Sequence, residues 1–208
     1  MNAKQTALEI HDQLRALGRG TRQGHRPSAQ SDFGVYTADL RMVVKEFSKR
    51  LKTSPGEHVY RLARSLISRE NTECRQVAYE LIRNHPECLA FLDVGKVEKL
   101  GAGMDNWCCV DNFCTSVAGI AWLKGRLDDK DILRWSHSEN LWWRRAALVC
   151  RELADDPEIM VQKALSWALR ELIPWDRIAV EAFLRSHPNL PSRVRREVQR
   201  KLDTGKKN

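Results

Sequence analysis

No run of about 18 apolar residues occurs in this chain, so no membrane span is expected. The opening "MNAKQTALEIHDQL" is an amphipathic helix pattern and lacks the apolar centre of a secretory signal. The cysteines, Cys74, Cys88, Cys108, Cys109, Cys114 and Cys150, form no C-x-x-C pair, which removes the usual zinc spacing. No metal and no other cofactor is expected. Several of these cysteines fall on apolar faces, where the thiol packs as a small hydrophobe. A reducing, cytoplasmic and nucleoid-associated setting is the expectation. No segment alternates with the period of a strand, and no strict repeat period shows.

What is present is positive charge and helical periodicity. The 208 residues suffice for one domain with a core, and the formal net charge is +8 with 30% charged residues. That balance favours an anionic partner such as nucleic acid or anionic lipid. Helices are expected over about 2–17, 37–51, from 55 through 66, 72–83, 91–100 and 105–123. Between the first two lies "GRGTRQGHRPSAQSDFG", a long basic loop. Ser54-Pro55 is expected to open the third helix, as N-cap and first helical residue. The fourth stops before His85-Pro86.

The second half is equally helical. "DDKDILRWSHS" gives a short helix, and Ser136 with Glu139 reads as a capping box for a helix to about Ala154. Asp156-Pro157 opens another to about Leu172, Pro174 the next to about Ser186, and "PSRVRREVQRKL" the last. Short connections predict antiparallel neighbours. The pattern gives an all-α fold of helical pairs and leaves open whether they form a compact bundle or stacked two-helix repeats.

Three helices carry unusual residues at their edges. In "NWCCVDNFCTSVAGIAWL" a wheel places Trp107, Cys114, Ala118 and Ala121 on the buried face, with Asp111 on its rim beside Trp107. Asp111 is either a satisfied acid between helices or a working one. In "NLWWRRAALVCREL" the stripe is Trp142, Ala146, Val149, Cys150 and Leu153. Arg144 points away from that stripe and Arg145 lies at its margin, where its stem can cover apolar surface. In "EIMVQKALSWALREL" the core positions are Met160, Ala164, Ala168 and Leu172, while Lys163, Trp167 and Arg170 share one edge. Two cations flanking an indole suit a sugar-phosphate chain, or equally an interface tryptophan with snorkelling neighbours. From Arg185 onward cations dominate, opposed only by Glu197 and Asp203.

"NWCCVD", "LWWRRAALV" and "VQKALSWALREL", in this order and spacing, resemble the AlkD-like DNA alkylation-repair glycosylases, which are built from HEAT-like helical repeats. "FGVYTADLRMVVKEF" is similar to an early segment of the same family, and the likeness runs from about Phe33 to Leu202. The resemblance implies an α-α superhelix of antiparallel helix pairs and one domain over 1–208. Within it, 1–34 are an N-terminal helix and basic loop, 35–203 the repeats, and 204–208 a basic tail. It implies a catalytic carboxylate at Asp111, cleft aromatics at Trp107 and Trp167, and a cleft arginine at Arg145. Lys163 and Arg170 are expected as secondary DNA contacts. It further implies removal of N3- and N7-alkylated purines from duplex DNA, by a monomer without a cofactor and without full extrusion of the lesion.

The chemistry fits those residues. An alkylated purine is already cationic and leaves without a general acid. The positive charge that builds on the deoxyribose is stabilised by a fixed carboxylate and by indole faces. Two departures from the family pattern stand out: a basic, Gly-rich loop before Phe33 where a helix is common, and no counterpart to an N-terminal cleft aromatic. An alternative reading is a non-catalytic relative that binds distorted or branched DNA. Another is a helical scaffold for proteins, which would carry a neutral or apolar groove.

Overall fold

The computed structural model describes residues 2–20, 28–147, 159–174 and 177–205. Every regular element among them is helical, and the only extended pairing among them is an isolated bridge between Ser31 and Asn71. The chain divides into two compact units, Met1–Asp128 and Asp129–Asn208. The expected continuation of one helix to Ala154, the start at Asp156-Pro157, and most of the basic loop lie outside the described residues. So do Val149, Cys150, Leu153, Lys206 and Lys207.

The first unit contains α1 (Ala3–Leu17), α2 (Thr37–Leu51), α3 (Gly56–Ile67), α4 (Thr72–Arg83), α5 (Pro86–Phe91), α6 (Val94–Gly101), α7 (Trp107–Phe113) and α8 (Gly119–Leu123). Helix α4 is central: it packs on α3, α2 and α7. Its buried face carries Val77, Ala78, Tyr79, Leu81 and Ile82, and the Tyr79 ring tilts against Phe113 of α7 with centroids 5.5 Å apart. Each such large side chain contributes about 1.5–3 kcal/mol on leaving water. Helix α3 joins α4 through a short loop and also packs on α1 and α5. Gly56 is required there, because a Cβ would sit 2.4 Å from the Glu87 carbonyl oxygen.

Several expectations need correction. Pro55 is itself the N-cap of α3, with ψ 144, and Gly56 is the first helical residue. His85-Pro86 does not merely end α4; it starts α5. Its ring Nδ1 accepts from the Cys88 N–H and its Nε2 lies 3.2 Å from the Leu51 carbonyl oxygen. The helix expected near 91–100 is α6, which starts at Val94 behind Asp93, whose carboxylate caps Lys96, and α5 is a short helix not expected before it. In the second unit Ser136 is the last residue of α9 (Asp129–Ser136), and Asn140 caps α10 (Leu141–Ala146) through Trp142 N–H.

Residues 28–35 form a strap across the first unit, held by two acids. Glu73, only 5% exposed, accepts from the backbone N–H groups of Phe33, Gly34 and Val35. Asp105 accepts from Ser28 Oγ at 2.7 Å, from Ala29 N–H at 2.6 Å and from the Gln30 side chain at 3.0 Å. Gly34, at φ +69, touches Gly20 so closely that any Cβ would lie 1.9 Å from the Gly20 carbonyl oxygen. Beneath the strap, Arg75 is 3% exposed and donates to Gln30 Oε1, Tyr79 Oη and the carbonyls of Leu100 and Ala102.

The second unit continues with α11 (Ile159–Leu172), α12 (Arg177–Ser186) and α13 (Ser192–Thr204). Its core is Leu165, Leu169, Val180, Leu184, Leu190, Val194, Val198 and Leu202. The buried face of α11 is therefore Leu165, Ser166 and Leu169, not the expected alanine stripe. Ala168 is half-buried and Leu172 is exposed, while the side chains of Met160 and Ala164 lie outside the described residues. Leucines bury more apolar area than alanines, and this sets the rotation of the helix.

Glu197 of α13 accepts from Ser166 Oγ at 2.6 Å and from Arg193 Nε at 2.8 Å, and Arg170 lies 3.6 Å away. Burial works to raise its pKa. The Ser166 hydroxyl and the two guanidinium groups outweigh that and hold it below its ordinary 4.5. A carboxyl depressed on folding stabilises above its ordinary range and loses that contribution as pH falls through the folded value. Glu197→Gln is therefore expected to lower the thermal midpoint at about pH 7 and to narrow its gap from wild type toward about pH 3. A gap that stays constant across the acid titration would show that Glu197 does not act through its charge.

Candidate nucleic-acid interface

Helix α7 begins at an Asn106 N-cap, whose Oδ1 accepts from Cys109 N–H at 2.9 Å. It runs without a break through a π-helical segment, Cys114–Ala118, into α8. There the Gly119 N–H reaches back to the Cys114 carbonyl, and the wider turn accommodates one extra residue. The buried positions are Cys109, Val110, Phe113 and Cys114, then Ser116, Val117, Ala118 and Ala121. Trp107 is not on the buried face, as the wheel placed it; at 36% exposure it stands on the solvent edge. Asp111, half-buried, follows it by one turn on the same edge. The expected rim position of the acid holds, with the tryptophan beside it turned outward.

The neighbouring α7 position faces inward. Cys108 accepts from Gln76 Nε2 of α4. With Asn112 it lines a cavity of about 230 Å³ that also takes in Thr37, Arg41 and Glu80. The adjacent cysteine pair therefore serves packing: Cys109 is fully buried, and burial pushes its thiol up to about 12.

The other expected site residues belong to the second unit. Arg145 is 6% exposed, more deeply placed than the margin position expected for it, and Ala146 and Ala147 beside it are fully buried. Arg144 was expected to point into solvent. It is half-buried and donates to the carbonyls of Ser138 and Glu139, satisfying backbone acceptors just before α10. Trp143 packs on Trp135 with ring centroids 4.9 Å apart.

On α11 the three edge residues separate. Lys163 is exposed and Trp167 half-buried, while Arg170 turns inward, donating to the Ser166 carbonyl and facing Glu197. In the C-terminal run, Arg195 is likewise structural: it caps the end of α12 through the carbonyls of Leu184, His187 and Pro188. Arg196 and Arg200 are exposed.

Pattern reading missed Glu73, Arg75 and Asp105. Only Asn106, an N-cap residue directly before an apolar run, carried a local signal. Asp105 and Asn106 together tie the strap to the first turn of α7, since Asn106 Nδ2 also reaches Ser28 Oγ at 3.3 Å. The edge bearing Trp107 and Asp111 therefore starts from a fixed point.

The described residues are all helical in their regular elements, the chain carries a net charge of +8, and α7 presents an acid and an indole on one edge. The family model described as DNA alkylation repair enzyme matches residues 12–151 and 148–202. The chain belongs to that family, which places it in the repair of alkylated DNA and makes DNA its substrate. No curated protein matches the chain. Among the described residues no helix is long and apolar enough to cross a membrane.

Proposed function

We propose that this protein is a DNA glycosylase that hydrolyses the N-glycosidic bond of cationic N3- or N7-alkylated purines in duplex DNA. The observation that carries the reading is the edge of α7: an exposed indole at Trp107 with the Asp111 carboxylate one turn on. A carboxylate on a protein that binds polyanions repels its ligand unless positive charge develops beside it. The departing cationic base leaves such charge on the deoxyribose. Asp111 stabilises it and orients water, and the faces of Trp107 and Trp167 add cation–π attraction. Arg145, only 6% exposed, is given a phosphate contact on the resemblance, and the exposed Lys163 supplies a secondary contact. Arg170, expected from its helix edge as a secondary DNA contact, is better read as the brace between α11 and Glu197. In this reading the helix pairs stack as a HEAT-like superhelix, and the protein works as a monomer without a cofactor.

The deciding experiment is release of 7-methylguanine and 3-methyladenine from alkylated duplex DNA. Absence of release together with tight binding to branched DNA would favour the non-catalytic alternative. For the phosphate contact, Arg145→Ala is expected to weaken duplex binding and to flatten the log–log salt dependence by about one unit. An unchanged slope, in a variant shown by melting to be folded, would remove Arg145 from the interface.

A further inference from the structure

The first unit bears a second basic surface that owes nothing to α7. A trough of about 750 Å³ runs between the start of α1 and one side of α3, and its lining includes Lys4, His58, Arg61, Arg64, Ser65 and Ser68. Among the described residues no carboxylate lines it. Lys4, Arg61, Arg64 and Ser68 are exposed, and His58 and Ser65 are half-buried. Among the described residues neither Lys4 nor Arg64 is in an ion pair with an acid; Arg64 donates to the Lys99 carbonyl. Arg61 pairs with Glu57 at 2.7 Å, but the two side chains are 70% and 53% exposed, and such a pair contributes little and yields readily to a competing anion. Helix α1 has no acid in its first turn, so the positive end of its dipole adds to the field.

We propose that this trough binds the phosphodiester backbone of a nucleic acid, as a contact separate from the Trp107–Asp111 edge. The ligand must be anionic, because every charged group in the lining is a cation or a histidine. It must offer oxygen acceptors, because the remaining polar groups include the hydroxyls of Ser65 and Ser68. An extended chain fits better than a single phosphate. From His58 to Ser68 the lining covers about 15 Å of helix, with a donor on each turn, and duplex DNA presents one phosphate per about 3.4 Å of axis on each strand. Arg64 and Ser68 also line an adjoining depression with Lys99, but Glu70 and Asp105 line that depression too, so the carboxylate-free track ends at Arg64 and Ser68. The trough uses α1 and α3 alone, whereas α7 packs on α4. The proposal rests on the reading of this chain as a DNA-binding protein but not on base excision. Its consequence is a hold on undamaged DNA that persists while the acid–indole edge is engaged or empty.

The test pairs two measurements on the full chain carrying Lys4→Glu and Arg61→Glu. In fluorescence anisotropy with an undamaged labelled duplex over a salt series, the log–log slope is expected to fall by about two. Affinity at moderate salt is expected to fall roughly tenfold. The charge-conserving pair Lys4→Arg and Arg61→Lys should retain both. Single-turnover base release at saturating enzyme should be unchanged, since neither residue touches the reacting atoms. Equal slope and affinity in a folded charge-reversal variant would overturn the proposal. Calorimetric titration with pyrophosphate separates the sources of phosphate. Tight pyrophosphate binding lost in the variant, with duplex binding intact, would assign the trough to a small phosphorylated ligand and overturn the backbone assignment. A wild type that binds duplex through the trough yet releases no base would sink the glycosylase reading and leave this one standing.

Discussion

Asp111→Asn is expected to slow release of 7-methylguanine from alkylated duplex DNA by about 10²–10³-fold. The substitution keeps the shape of the side chain and removes only its charge, so the loss measures electrostatic stabilisation of the deoxyribose cation. Binding should move the other way. Taking a negative charge off a surface that meets phosphates relieves repulsion, and duplex affinity should be unchanged or tighter. That split, slower chemistry with undiminished binding, is what separates a catalytic carboxylate from an acid that merely braces two helices. Single-turnover base release and anisotropy on the same variant measure both sides. Equal release rates for the two proteins would end the catalytic assignment.

Arg75→Met is expected to have the largest effect on stability. Methionine replaces most of the stem, but the bonds to Gln30, Tyr79, Leu100 and Ala102 go together. Buried acceptors left without donors cost about 1–3 kcal/mol each, and partial relaxation brings the expected loss to about 3 kcal/mol. For a protein of this size that lowers the melting midpoint by roughly 6–12 °C. The effect should extend to local order: amide exchange in 28–35 should quicken before that of α3, because the strap loses its underlying contact to Gln30. A midpoint within about 2 °C of wild type would show that the guanidinium is replaceable by packing alone.

The particular elements show what a linear reading reaches. Helices α2 and α4 fall at the residues their periodicity and flanking turns indicate, since both bury one broad stripe against neighbours close in the chain. The rim position of Asp111 was legible for the same reason. Trp107 was not, because it sits at the first helical turn, where a wheel assumes packing on every side and the structure offers solvent. The rotation of α11 was missed because alanine, serine and leucine positions compete, and only the partner helix α13 decides among them. Glu73 and Asp105 were invisible for a simpler reason: their partners lie about 40 and 76 residues away, and nothing local marks an acid as the anchor of a distant loop. Lys163 and Arg170 share one edge by spacing, and the structure separates them: Lys163 faces solvent, whereas Arg170 turns toward Glu197.

The π-helical segment at Cys114–Ala118 has a consequence for how this helix can change. A helix is a screw, and an extra residue in its thread offsets the faces presented by its two ends by a fixed angle. Ahead of the segment, α7 presents Trp107 and Asp111; behind it, α8 buries Ala121. Removing one residue between them would restore a uniform thread, and each lost residue swings one end by about 100° relative to the other. Either the acid–indole edge would turn into the packed interior or Ala121 would turn out of it. The π segment therefore works as a phase shifter, setting the edge that bears Trp107 and Asp111 at a fixed offset from the face that buries Ala121.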